Sequence, residues 1–364
     1  MLLLLQFGCY VQVSENEIEK IPEIDFAIGT NEKKKIVKYV EKFLKDKKID
    51  NKLSNMIEKT EYEDFGSITY TEKTRAVVKI QDGCDNFCAY CIIPYARGRA
   101  RSREPDSILS EIKDIVKKDI KEVVITGIHI ASYGKDFTNG YKLIDLFEEI
   151  NKIDGIKRIR LGSIEPKLIT KEFLSRLKKL DKICHHFHLS LQSGCTKTLK
   201  RMNRKYTKEE FELIVRDIRE VYNDVILTTD IIVGFPEETE KEFSETYKFL
   251  KKINFYKMHI FKYSERKGTV AALMKNQVSA EVKEERSKKL LLLSDELEDK
   301  YQKQYIGKEL EVLFEEYDGE YYKGHTSNYI VVKCKYNQDI QNKINKVKVE
   351  GNNNKFELIG VIDL

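Results

Sequence analysis

The sequence predicts an α/β protein whose centre is a partial (βα)6 barrel, preceded by an α/β remnant and followed by a small β-barrel. Three observations support this fold class. Strand-like and helix-like segments alternate six times in the middle of the chain. The T-x-x-E segments Thr207–Glu210 and Thr239–Glu242 mark helix starts within that stretch. The last stretch, about sixty residues, changes to short strands separated by Asp, Gly and Asn, as in small barrels.

The pattern divides the chain into four parts. Residues 1–47 hold about two βα units, too little for a core of their own, and predict a remnant of a larger α/β domain. The polar residues 48–73 predict a linker, residues 74–303 the barrel core, and residues 304–364 the terminal β-barrel. The predicted barrel strands are Ala76–Ile80, Glu122–Thr126, Ile156–Leu161, His186–Gln192, Val225–Val233 and Lys257–Tyr263.

Composition limits the classes of function. Of the 364 residues, 34% are charged, yet the net charge is only +5, which permits nucleic-acid binding without demanding it. No apolar run reaches the roughly 20 residues of a membrane helix, and the first residues lack the pattern of a secretory signal. The seven cysteines are odd in number, and three are clustered, which favours metal ligation in the cytoplasm over disulfides.

Three of the cysteines follow the first barrel strand with C-x3-C-x2-C spacing: Cys84, Cys88 and Cys91. Three thiolates on one loop can hold three irons of a cubane iron–sulfur cluster and leave the fourth iron open. Two alternatives are a zinc site, for which a fourth ligand at the usual spacing is missing, and incidental core cysteines. The spacing and the loop position favour the cluster.

This cysteine pattern after the first strand resembles the radical-SAM superfamily. The flanking segments Lys79–Cys84 and Cys91–Arg99 resemble the methylthiotransferases within it. Further segments resemble that family at later strand ends: Gly162–Pro166, His188–Gly194, Asp230–Pro236 and Phe261–Thr269. The resemblance implies a [4Fe–4S] cluster whose open iron binds S-adenosylmethionine, and one-electron cleavage of that cofactor to a 5′-deoxyadenosyl radical. The terminal β-barrel resembles a TRAM domain.

Three branches of the family differ in substrate. The segments Ile80–Cys84 and Pro94–Gly98, with Cys9–Gln12 and Ala27–Asn31, most resemble the branch that acts on threonylcarbamoyladenosine in tRNA. That branch implies insertion of a methylthio group at C2 of the modified adenosine next to the anticodon, with tRNA as partner and an electron donor such as a flavodoxin or ferredoxin. The alternatives are isopentenyladenosine in tRNA and an aspartate of a ribosomal protein.

The resemblance also implies an auxiliary cluster on three cysteines of the N-terminal domain. Cys9 matches one of them, and the other two positions would precede Met1. One thiolate cannot hold a cubane, so the chain does not predict a complete auxiliary site. Two further hypotheses follow: an RNA-binding remnant deficient in sulfur insertion, and an iron–sulfur electron carrier. The strand-end motifs argue against the carrier.

Polar residues at the strand ends are candidates for cofactor contacts. Glu165 could hold a ribose hydroxyl or the amino group of the cofactor, and Gln192 and Ser193 suit its ribose. Gly234 would allow adenine to approach the backbone. A surface acid and a plain turn glycine are the alternatives for Glu165 and Gly234.

Basic residues predict contacts with RNA. Arg97, Arg99, Arg101 and Arg103 recur at every second position just after the cysteines and predict phosphate contacts, with a solvated loop as the alternative. Lys323 lies among the tyrosines of the terminal barrel, which predict either a platform for bases or a small core.

Overall fold

The computed structural model describes residues 3–46, 51–53, 61–67, 74–353 and 356–362. Most of the predicted linker lies outside the described residues. In chain order, the elements of the N-terminal part are β1 (Leu5–Phe7), α1 (Cys9–Val13), α2 (Glu15–Ile18), β2 (Phe26–Ile28) and α3 (Ile36–Asp46). Strands β1 and β2 pair in parallel. Phe26, Ile28 and Phe43 form a small core there, consistent with two βα units.

The central part contains six parallel strands and one short antiparallel strand. Its strands are β3 (Arg75–Asp82), β4 (Arg101–Ser102), β5 (Glu122–Gly127), β6 (Arg158–Leu161), β7 (His186–Gln192), β8 (Ile226–Val233) and β9 (Lys257–Lys262). Its helices are α4 (Ile93–Arg97), α5 (Pro105–Val116), α6 (Leu143–Asn151), α7 (Lys171–Leu177), α8 (Thr196–Arg201), α9 (Lys208–Val221), α10 (Glu240–Ile253) and α11 (Ala280–Lys303).

The strands form a partial barrel. The sheet order is β4-β3-β5-β6 and β7-β8-β9, and parallel bridges at Ile159↔Ile183 and Ile164↔Leu189 join the two sheets. Alternation along β7 explains the two faces: Phe187, Leu189 and Leu191 are fully buried under the helices, whereas the even-numbered side chains face the barrel interior. The predicted partial barrel is confirmed.

The C-terminal part is a closed five-stranded barrel, also as predicted. Its strands are β10 (Glu309–Tyr317), β11 (Tyr322–Thr326), β12 (Val331–Cys334), β13 (Ile344–Asn352) and β14 (Leu358–Val361). Val312, Phe314, Val332, Val347 and Leu358 fill it and are 0% exposed. Closure leaves no unpaired strand edge in this barrel.

The small barrel packs against the first residues of the parallel strands. Arg158 donates hydrogen bonds to the carbonyls of Glu311 and His325, and Arg160 donates to that of Ser327. Tyr329 stacks on His186, with ring centroids 4.7 Å apart. The small barrel therefore covers the N-terminal mouth of the partial barrel, opposite the strand ends that carry the cysteines.

Candidate functional site

The three cysteines lie on a tight loop between β3 and α4. Gly83 begins it with φ +70°, and a Cβ there would come within 1.9 Å of the Arg99 carbonyl oxygen, so only glycine fits. The Cys84 amide donates to the Gly98 carbonyl at 3.0 Å and closes the loop. Ala89 donates to Met202 and accepts from Ala271, which anchors the loop to two neighbouring segments.

Burial disfavours the thiolate form of Cys84. Burial raises the pKa of Cys84 to about 11, and the neighbouring Cys88 and Cys91 contribute to the increase. A metal displaces the proton of a coordinating thiol, so cluster binding overcomes this cost. Among the described residues no three His, Cys, Asp or Glu side chains are placed to share a single ion. Cubane ligands each bind a different iron, so the donor set fits a [4Fe–4S] cluster.

Arg204 joins the cysteine loop to Glu165. Its guanidinium donates to the Cys88 Sγ at 3.3 Å and to the Glu165 carboxylate at 2.6 Å. Burial disfavours the charged guanidinium, but Tyr206, Tyr90 and Glu165 outweigh it and raise the pKa of Arg204. The nearby residues Lys200, Arg201 and Lys205 are also basic, so the sequence gives no sign that this one arginine is buried.

Glu165, after β6, also approaches His129 in the loop after β5. The His129 Nε2 lies 3.8 Å from the Glu165 carboxylate and 3.0 Å from the Asn86 side-chain amide. The His129 Nδ1 bonds to the Ser132 hydroxyl at 2.7 Å. Carboxylate, guanidinium, imidazole and amide groups thus meet beside the cysteine loop, as side chains that bind a zwitterionic ligand would.

A cavity of about 290 Å³ opens at the ends of β7, β8 and β9. Gln192, a predicted cofactor residue, lines it with φ +71°. Tyr90 of the cysteine loop, Asp230 and Phe261 line it as well. The volume lies just below the usual range for small-molecule sites, about 300–1,000 Å³. Its position beside Tyr90 fits a cofactor that must reach the cluster.

Two other predicted cofactor residues are placed differently. The Ser193 side chain is 0% exposed, and its hydroxyl bonds to Thr246 and accepts from the Cys195 amide, so it does not face a ribose. Gly234 has φ +69°, but its amide donates to Glu238, and the Lys283 side chain covers its Cα. The Ser193 hydroxyl and the Gly234 backbone N–H are thus already engaged in the turns after their strands.

Cys9 begins α1 on the face that packs against α4. The Arg97 Nε donates to the Cys9 Sγ at 3.0 Å, and the Thr30 hydroxyl donates to the Ala96 carbonyl at 2.7 Å. The N-terminal part is therefore attached directly to the helix that follows the cysteine loop.

The four arginines after the loop do not form one RNA-facing row. Arg101 and Arg103 are only 3% and 4% exposed. Arg101 pairs with Asp82, and Arg103 with Glu111. The expectation of phosphate contacts is wrong for these two, because acidic residues on neighbouring elements bury them. Arg97 is engaged with Cys9 and Asp82, whereas the Arg99 side chain remains 46% exposed.

The candidate RNA residue of the small barrel, Lys323, is paired with Glu357 at 3.0 Å. Tyr322 lies in the barrel core, and Tyr329 lies between His186 and His325 at the interface with the partial barrel. These two tyrosines are structural. Tyr321 remains next to Lys333 and Lys335, whose ammonium groups lie 5.9 Å and 4.9 Å from its ring.

Comparison with known proteins places this geometry in a family. Residues 78–250 match the radical SAM superfamily. A threonylcarbamoyladenosine tRNA methylthiotransferase of Bacillus subtilis is 42% identical over 348 residues, which cover 94% of this chain and 77% of that protein. The chain belongs to the radical SAM tRNA methylthiotransferases. Membership of this family implies a [4Fe–4S] cluster and S-adenosylmethionine.

Other methylthiotransferases are nearly as similar. The Aquifex aeolicus protein of the same name is 39% identical, over 90% of this chain and 78% of its own. A tRNA-2-methylthio-N(6)-dimethylallyladenosine synthase of Caldicellulosiruptor saccharolyticus is also 39% identical, over 94% and 73%. The solved structure of the cobalamin-dependent radical enzyme OxsB shares the fold at a TM-score of 0.51 and 16% identity, over 82% of this chain and 43% of that one.

None of the described helices is long and apolar enough to cross a bilayer.

Proposed function

We propose that this methylthiotransferase inserts a methylthio group at C2 of threonylcarbamoyladenosine next to the anticodon of tRNA. The observation that carries the proposal is the 42% identity to the Bacillus subtilis protein of that name over 94% of this chain. The branch-specific segments around Cys84 and Gly98 support the same substrate.

We assign cluster ligation to Cys84, Cys88 and Cys91. Glu165 and Arg204 are proposed to hold the amino and carboxylate ends of S-adenosylmethionine, since they present opposite charges beside Cys88. Gln192 would bind a polar group of the nucleoside in the adjoining cavity. When bound, the cluster and its cofactor supply one-electron radical chemistry.

The chain's own part is to position these groups and exclude water. Arg204 is held on three further sides, by the Ser190 carbonyl, the Tyr206 hydroxyl and the face of the Tyr206 ring. Such support fixes the guanidinium before a ligand arrives, which reduces the entropic cost of binding. Tyr90 and Phe261 provide apolar walls at the cavity, where exclusion of water protects reactive species.

The decisive experiment uses the anaerobically reconstituted chain with dithionite and S-adenosylmethionine. One assay measures 5′-deoxyadenosine, and a second measures methylthio-nucleoside in tRNA that bears either threonylcarbamoyladenosine or isopentenyladenosine. We expect deoxyadenosine, and methylthio product on the threonylcarbamoyladenosine tRNA. A reduced flavodoxin or ferredoxin, the proposed physiological donor, should replace dithionite.

The controls separate the alternatives. Cys84→Ala should abolish deoxyadenosine, whereas Cys195→Ala, a cysteine outside the loop, should retain it. Product only on the isopentenyladenosine tRNA would transfer the assignment to that branch, which the similarity to the Caldicellulosiruptor protein makes the second candidate. Deoxyadenosine without product on either tRNA would support an enzyme deficient in sulfur insertion. No deoxyadenosine from protein with a verified cluster would leave an RNA-binding remnant.

A further inference from the structure

A second cavity lies beside the proposed active site, between the loops that follow β5 and β6. It has a volume of about 380 Å³, within the range of small-molecule sites. Its walls include Leu143, Ile144, Leu168 and Phe173, all apolar. No residue assigned above to the cluster or the cofactor lines this cavity.

The wall of this cavity is continuous with the active-site network. Ala131 lines the cavity, and its neighbour Ser132 bonds to the His129 Nδ1 at 2.7 Å. Leu168 also lines the cavity, and its backbone N–H donates to the carbonyl of Glu165 at 3.0 Å. The cavity therefore shares its loops with Glu165 and His129, and its lining begins within three residues of each.

Two lysines give the mouth of the cavity a positive charge. Lys135 and Lys142 line the cavity, are exposed, and make no ion pair within the described part of the chain. Arg176 is already engaged with Asp145 and Glu148, and Glu172 is the acidic side chain among the lining residues. An apolar floor with two available ammonium groups suits a flat ring that carries a phosphate on either side.

We propose that this cavity binds a nucleotide of the substrate tRNA that flanks the modified adenosine. The base would enter the apolar cavity, and Lys135 and Lys142 would contact the adjoining phosphates. Bases of single-stranded loops can be splayed out and bound in this way. The inference rests on tRNA as the substrate, but it does not depend on which modified adenosine is methylthiolated.

The test is the binding of a fluorescent anticodon stem-loop RNA to the reconstituted protein at several salt concentrations. Lys135→Ala/Lys142→Ala should weaken binding and reduce the slope of log affinity against log salt by about 1 to 2. Lys178→Ala/Lys179→Ala, the matched control at the far end of α7, should leave the slope unchanged. An unchanged slope in the cavity variant would overturn the proposal.

A second measurement tests the base itself. Stem-loops with a single abasic nucleotide at each loop position are compared on wild type and on Ala131→Leu, which narrows the cavity. Removal of the base at one position that flanks the modified adenosine should weaken binding to wild type about tenfold. The same removal should have little effect on binding to Ala131→Leu. If every abasic penalty is the same in both proteins, the cavity holds no base.

These outcomes remain distinct from a failure of the proposed function. Deoxyadenosine formation without RNA should be equal in all these variants, which shows that they fold and bind the cofactor. If wild type binds no stem-loop and no whole tRNA, both the substrate and the cavity proposal are overturned. If it binds with unaltered salt slope and abasic pattern in the variants, the cavity proposal alone fails.

Discussion

At the scale of single residues, Arg204 is the side chain that connects the proposed cluster to the proposed cofactor site. The guanidinium reaches the Cys88 thiol and the Glu165 carboxylate at once because its planar fork presents several donors in fixed directions. Lysine keeps the charge but offers a single donor atom, so it cannot make both contacts in the same geometry.

We therefore expect Arg204→Lys to slow deoxyadenosine formation about tenfold or more, since one charged hydrogen bond contributes about 1.5–3 kcal/mol. The matched control is Arg201→Lys, which alters an ion pair with Glu242 on the outer helices. The measurement is the rate at several concentrations of S-adenosylmethionine. Equal rates in the two variants would contradict the role given to Arg204.

Asp230 provides a residue-scale prediction on pH. Burial opposes its ionisation, but hydrogen bonds from His188 and His259 outweigh burial and hold the pKa of Asp230 below its usual value. A depressed carboxyl pKa stabilises the fold above the unfolded-state value of about 4, and this contribution is lost as the pH falls toward the folded-state value.

Asp230→Asn should consequently reduce the free energy of unfolding at pH 7 and reduce it less at pH 3. Urea titrations of both proteins at the two pH values measure this difference. Asp217→Asn, an exchange on the outer helix α9, serves as the matched control. If the difference in the free energy of unfolding between Asp230→Asn and wild type stays constant with pH, the lowered pKa does not belong to Asp230.

The sequence predicted part of this residue-scale picture. The spacing of the three cysteines indicates cluster ligands because one loop brings them together, and Glu165 and Gln192 follow strands whose ends converge. Arg204 could not be found in this way. Its partners, Cys88 and Glu165, lie 116 and 39 positions away, and its neighbours in sequence are basic, as on a solvated surface.

At the scale of elements, the short strand β4 explains why two of the four arginines after the cysteine loop are buried. Alternation on an exposed loop would direct every second side chain to solvent, but β4 pairs with β3 and turns Arg101 and Arg103 toward acidic residues. A two-residue strand carries too little periodicity to be predicted, whereas the longer parallel strands were predicted from their apolar pattern.

Arg103→Ala should be much more destabilising than Arg99→Ala. Removal of Arg103 leaves the buried Glu111 carboxylate without its guanidinium, which typically costs about 3–5 kcal/mol. The Arg99 pair with Asp85 is exposed, and such pairs contribute about 1 kcal/mol or less. Denaturant unfolding checks the order, and equal losses would contradict it.

Affinity for tRNA should show the reverse order. Arg99→Ala removes an exposed cation beside the cysteine loop and should weaken tRNA binding, whereas Arg103 lies too deep to reach a phosphate. Binding is measured at a temperature where both variants remain folded. If Arg103→Ala binds tRNA more weakly than Arg99→Ala does, the prediction that Arg103 contacts RNA is correct after all.

At the scale of the whole molecule, the two barrels are joined by contacts that local sequence patterns do not predict. Arg75 pairs with Glu315 at 2.9 Å. The side-chain amide of Asn328 donates to the Asp224 carbonyl at 3.1 Å, and the Arg160 guanidinium lies 4.8 Å from the centre of the Tyr329 ring. Each barrel was predictable from its own periodicity. Their docking was not, because the partners are separated by a large part of the chain.

Tyr329→Ala should loosen this joint while leaving each barrel folded. Loss of its stacking on His186 and His325 should cost about 1–3 kcal/mol. Hydrogen exchange should then become faster near residues 183–188 and 324–331 and stay unchanged in α5. Tyr321→Ala, a tyrosine of the same barrel outside the stack, is the control and should leave both segments protected.

Tyr329 also has a consequence for the order of events during turnover. Since its ring stands at the N-terminal mouth of the partial barrel, we expect small molecules to exchange with solvent on the cysteine side, where the RNA is proposed to bind. A tRNA bound on that side would then cover the opening. On this proposal we expect the cofactor to enter before the tRNA and its cleavage products to leave after it, so a long-lived RNA complex would slow the next turnover.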